Sequence, residues 1–159
     1  MKGRAQELIT KADLDRLSEI ARSDRDSFFK RYPRYAPYRS RVACVALCQG
    51  AALHYIDGRT GVKDFDVWTF YYTLASPRFP YRRHARKDFG SSRFTDWSGR
   101  VDLMARALPA NPGADPAKML RDYLWSRPTK SARLLAKKAV VLIDPASRRG
   151  EVVWPTLAL

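Results

Sequence analysis

The chain has 159 residues, with 30 Lys and Arg against 16 Asp and Glu, a net charge of +14 and a sequence pI near 10.2. Its 45% hydrophobic and 12% aromatic content excludes a disordered polyelectrolyte, because enough apolar surface is available to offset the entropy of ordering the chain. No apolar run approaches the roughly 20 residues that span a bilayer, and the opening MKGRAQELITKADLDRL lacks the apolar stretch of a signal peptide, so a cytoplasmic protein folded as one domain over residues 1–159 is expected.

Thr10 followed by Asp13 reads as a capping box, and Leu14, Leu17, Ile20 and Ala21 recur at helical spacing, which predicts a helix from about 11 to 31. Pro33 and Pro37 stop it. Residues 41–48, RVACVALC, form an apolar run suited to a strand buried on both faces. Cys44 and Cys48 then point to the same side, too far apart along the strand to bond. After Gln49-Gly50-Ala51 a short helix is expected over 51–56, ended by Asp57-Gly58. A strand follows from Lys63 to Tyr72.

Ser76 to Asp96 is basic and aromatic without a regular pattern, and Gly99 to Ala107 reads as a third strand. Asp115-Pro116 supplies an N-cap with proline at the first helical position, predicting a helix over 116–126. Thr129 or Ser131 caps another around Leu134, Leu135 and Ala136. The runs at 140–143 and 151–154 form a hairpin across Asp144 to Gly150. The class is α+β: a mixed sheet packed by helices, with a C-terminal β-hairpin.

The chemistry is concentrated at Asp64-Phe65-Asp66-Val67. On a strand, residues two apart face the same way, so Asp64 and Asp66 project together while Phe65 and Val67 enter the core. Such a pair repels itself unless a cation sits between its members, and Mg²⁺ suits hard oxygen ligands that leave room for substrate phosphates. Asp102, flanked by Val101 and Leu103, would complete a set able to hold two ions for an in-line phosphoryl displacement. Gly50, where strand turns into helix, lets a triphosphate approach backbone N–H groups without an intervening side chain. The alternative is that the aspartates form a polar strand edge, with Asp102 paired to Arg100 or Arg106.

These residues resemble the signature of the nucleotidyltransferases of the DNA polymerase beta superfamily. That signature is a glycine and a small residue, a spacer, a strand with two alternating carboxylates, and a third carboxylate on a later strand. Gly50-Ala51, Asp64-Phe65-Asp66-Val67 and Asp102 match it in order, and the resemblance covers about residues 41–107; the helical and hairpin part, about 115–159, lies beyond it. It implies a nucleotidyltransferase-like sheet in which Asp64 and Asp66 bind two Mg²⁺, or Mn²⁺ in their place. Asp102 would bind one ion and help deprotonate the acceptor hydroxyl, and Gly50-Ala51 would hold the nucleoside triphosphate. The family's usual second residue is Ser or Gly, so with Ala51 the triphosphate contact would fall to backbone, Lys63 or Arg59.

The acceptor is read from the charge. Of the 30 basic residues 21 are Arg, whose planar fork pairs bidentately with phosphate. Arg78, Arg82, Arg83, Arg86, Lys87 and Arg93 are interleaved with Phe79, Tyr81, Phe89 and Phe94, a mixture suited to a single-stranded nucleic acid. RNA, such as transfer RNA, is the favoured acceptor. The resemblance also admits a toxin–antitoxin component acting on RNA or on a partner protein. The competing reading is a non-catalytic nucleic-acid-binding domain with a degenerate nucleotidyltransferase fold.

Overall fold

A computed structural model describes residues 7–80, 83–90 and 99–155, with only the backbone of Arg83. The first helix, α1, is Lys11–Arg31. Its start is fixed by a reciprocal cap: the Asp13 carboxylate accepts the Thr10 N–H at 2.8 Å, and the Thr10 hydroxyl accepts the Asp13 N–H at 3.4 Å. Leu14, Leu17, Ile20 and Ala21 are buried as one stripe. The proline-rich run beyond it is a 3₁₀ segment, Pro33–Arg41. Tyr38 anchors this segment from a fully buried position, donating to the Pro77 carbonyl at 2.7 Å and accepting the Leu74 N–H at 3.2 Å.

Strand β1 (Val42–Cys48) runs into helix α2 (Gln49–Asp57), and β2 (Phe65–Tyr72) returns antiparallel to β1. After β3 (Arg83–Asp88), strand β4 (Arg100–Leu108) inserts between β2 and β3, parallel to β2. Helices α3 (Pro116–Ser126) and α4 (Lys130–Leu135) lead to the hairpin of β5 (Val140–Asp144) and β6 (Val152–Trp154). The described strands form one mixed, open sheet in the order β3-β4-β2-β1-β5-β6.

Alternation along the strands divides the core between two faces. Val45, Leu47, Phe65, Val67, Val101 and Leu103 pack with α1 and α2, whereas Ala46, Cys48, Trp68, Phe70 and Leu142 pack with α3 and α4. Both cysteines are free and buried on the second face, as their spacing requires. Phe65, fully buried, stacks on Phe89 with centroids 5.0 Å apart, clamping the start of β2 to the segment after β3. Phe65→Ala is therefore expected to cost about 3–5 kcal/mol, read as a lower urea midpoint with an unchanged slope.

Two elements depart from the expectation. β2 starts at Phe65 because Lys63 and Asp64 form a bend. β3 falls in the stretch that showed no pattern, because RHARKD has one apolar residue and lies at the sheet edge, where burial imposes no alternation. No described helix is long and apolar enough to cross a membrane.

Candidate metal centre

The site lies at the end of the sheet where β1 stops and β2, β4 and β5 begin. In the parallel ladder Asp66 stands directly opposite Asp102, and Cys48 flanks Asp66 on its other side. Arg100 precedes Asp102 on β4 and Asp64 lies in the bend that leads into β2, so three carboxylates and one guanidinium gather at this end of the sheet. One oxygen from each of Asp64, Asp66 and Asp102 lies within 4.8 Å of the others, close enough to share a metal ion.

Arg100 already bridges part of this cluster. Its guanidinium donates to Asp64 at 2.6 Å and lies 3.2 Å from Asp102. From β3, Arg86 Nε approaches Asp102 at 3.6 Å. The negative field of Asp102 and Asp64 holds the Arg100 guanidinium above its ordinary range. Asp66 differs: among the described residues none gives it a hydrogen bond or an ion pair, and it faces a like charge across the ladder, a destabilising arrangement. Burial, then the charges of Asp64 and Asp102, raises its carboxyl from 3.8 to about 7, opposed by Arg100 and Lys138.

A carboxyl raised on folding stabilises the protein fully only below its unfolded value, and that contribution is lost as pH rises through the folded value. The metal-free protein is thus expected to lose stability at Asp66 between about pH 4 and pH 7. Melting temperatures of wild type and Asp66→Asn across this window check it, since the difference between them should grow in favour of the variant as pH rises.

Gly50 opens α2 at the same end. A β-carbon there would meet the Gly61 carbonyl at 3.6 Å and Lys138 Nζ at 3.9 Å. These are ordinary contacts, so the chain's own packing does not demand a glycine, and its absent side chain leaves room for a ligand. The preceding Gln49 has φ 64°, a left-handed conformation uncommon for a residue with a side chain. Ala51 is buried and packs into the first face.

The other expected site residues separate. Lys63 leads into Asp64, just after Gly61 has brought the loop back to Gly50. Arg59 lies in the turn held by Asp57, past the far end of α2, whose nine residues rise about 12 Å. The cation that does approach Gly50 and Asp66 is Lys138, between α4 and β5; only the pairing of β5 with β1 brings it here. His54 is buried, its ring nitrogens 2.6 Å and 2.8 Å from the Thr60 and Glu7 carbonyls, and fastens loop and N-terminal segment together.

Of the basic stretch, Arg86 faces the carboxylates and Lys87 lies on the opposite side of β3. Arg78 follows the far end of β2, roughly 20 Å along the strand from Asp66. Arg82, Arg93 and the Arg83 side chain lie outside the described residues, as do Tyr81 and Phe94. The expectation that Phe79 and Phe89 stack on bases is not met: both are buried, Phe79 against Tyr38 and Tyr71, and Phe89 against Phe65.

Comparison with protein-family models and with curated proteins gave no match.

Proposed function

We propose that the protein is a metal-dependent nucleotidyltransferase of the DNA polymerase beta type, moving a nucleoside monophosphate from a nucleoside triphosphate to an acceptor hydroxyl, with RNA as the favoured acceptor. The observation that carries this reading is Asp66: a half-buried carboxylate with no partner among the described residues, placed against Asp102 and within 4.8 Å of it and Asp64 through single oxygens. The donor set is all hard carboxylate oxygen, and the Arg100 guanidinium stands where a cation is favoured, so the residues fit Mg²⁺. Asp64, Asp66 and Asp102 would hold it, and when bound it would neutralise charge on the transferring phosphoryl group.

The chain's own residues account for the rest. Gly50 and the N-terminal N–H groups of α2 receive the triphosphate, with Lys138 alongside. The acceptor oxygen bonds to the α-phosphorus, the bond to the departing pyrophosphate breaks, and the acceptor's proton passes to Asp102. A second reading is favoured by Arg100. Because it already bridges Asp64 and Asp102, the cluster would also suit a nucleic-acid-binding domain that uses the arginine as a fixed counter-ion.

Incubation with each α-labelled nucleoside triphosphate, Mg²⁺ and total RNA separates the two. Label should enter RNA with wild type and not with Asp64→Ala/Asp66→Ala. No product with any nucleotide, or equal product from the variant, would sink the transferase.

A further inference from the structure

A groove of about 660 Å³ lies between the C-terminal half of α1, the 3₁₀ segment and β3, and the transfer site makes no use of most of it. Its charged and aromatic lining includes Arg31, Tyr32, Arg34, Tyr35, Arg86 and Lys87. We infer that this groove binds the single-stranded end of a polynucleotide and leads it to the carboxylates. As an assignment of acceptor class it rests on the transferase reading; as a binding site it stands alone.

The rings and charges are arranged in pairs. Arg31 lies over the Tyr32 ring at 5.5 Å and Arg34 over the Tyr35 ring at 5.2 Å, so each ring plane comes with a phosphate-binding fork. Tyr32 is 43% exposed. Tyr35 is held by stacking on buried Phe28, with centroids 5.8 Å apart and planes at 21°. Among the described residues no carboxylate pairs with Arg31, Arg34 or Lys87, and the groove's one carboxylate is the buried Asp24. The surface therefore presents uncompensated positive charge beside flat rings. An acidic peptide would match the charge but leave the rings unused.

Arg86 joins the groove to the site. It lines the groove and also stands opposite Asp102, with Nε 3.6 Å from that carboxylate. Because β3 is the edge strand, a chain lying along the groove can pass around the sheet edge onto the face that carries Asp66 and Asp102.

Fluorescence anisotropy of the full chain in EDTA, with labelled RNA and DNA 12-mers of one sequence and a polyglutamate peptide of equal charge, tests the groove without turnover. Arg31→Gln/Arg34→Gln, at exposed positions, should reduce the slope of log affinity against log salt by about 1.4. Adding Tyr32→Ala should bring the total loss to about tenfold or more, and ultraviolet crosslinks should map to Tyr32 or Tyr35. Asp64→Ala/Asp66→Ala should bind as tightly as wild type or tighter. Either strand binding in this way upholds the groove, and their ratio reports the sugar preference. Unchanged affinity and slope in the double variant, or a peptide bound as tightly as the oligonucleotides, would overturn it. Groove binding without label transfer would remove only the transferase reading, while full label transfer to RNA by the groove variants would remove only the groove's role as acceptor site.

Discussion

Asp66→Asn is expected to lower nucleotide transfer by about a thousandfold or more, roughly 4 kcal/mol of transition-state stabilisation, while raising the stability of the metal-free protein. The two signs share one cause. Asp66 is held opposite Asp102 with its carboxyl raised to about 7, so at neutral pH its ionisation opposes folding. The amide keeps the shape and removes the repulsion, which should stabilise by about 1 kcal/mol or more, or ~2–4 °C in a chain of this length. The same change removes one of the oxygens proposed to hold the metal ion. A structural carboxylate would behave otherwise, because losing a stabilising partner lowers stability. A variant less stable than wild type without metal at pH 8, or one with full activity, would contradict the assignment.

Arg100→Gln should tighten Mg²⁺ binding by about tenfold and make folding depend on the metal. In the present arrangement the guanidinium bridges Asp64 and Asp102, and an incoming ion must compete with it. Without it, three carboxylates face one another, and among the described residues the guanidinium left beside them is that of Arg86, 3.6 Å from Asp102. The metal-free variant should therefore melt below wild type, and saturating Mg²⁺ should recover more stability than it adds to wild type, since stabilisation by a ligand grows with its affinity. Melting curves with EDTA and across a Mg²⁺ titration give both quantities. If neither protein responds to Mg²⁺ beyond the effect of equal ionic strength, Arg100 is a fixed counter-ion and the metal reading falls.

The meeting of the carboxylates was legible because it depends on local rules. Phe65 and Val67 are apolar at alternate positions and force Asp64 and Asp66 to the other side, and the apolar neighbours of Asp102 do the same on β4. The start of α1 was legible for a similar reason, since the Thr10–Asp13 cap is complete within four residues. What was missed depends on partners far away in the chain. Lys138 reaches Gly50 only because β5 joins the sheet beside β1. Phe79 and Phe89 carry no local sign that tyrosines and Phe65 will cover them. Tyr32 and Tyr35 carry no local sign of a groove, which only the placement of β3 across from them reveals.

The charged edge strand has a consequence for self-association. β3 pairs with β4 on one side and is the last of the described strands on the other, so its outer backbone groups form a template that a second chain could extend. Exposed Arg86 and Lys87 would bring like charges together in two copies joined edge to edge, and so guard against that addition. A polyanion lying along β3 would cover the same edge, so the RNA proposed as acceptor would also act as a solubilising partner. Neutral substitutions at these two positions remove both protections at once, and a purified variant that precipitates only when stripped of nucleic acid would be showing an exposed sheet edge rather than a damaged core.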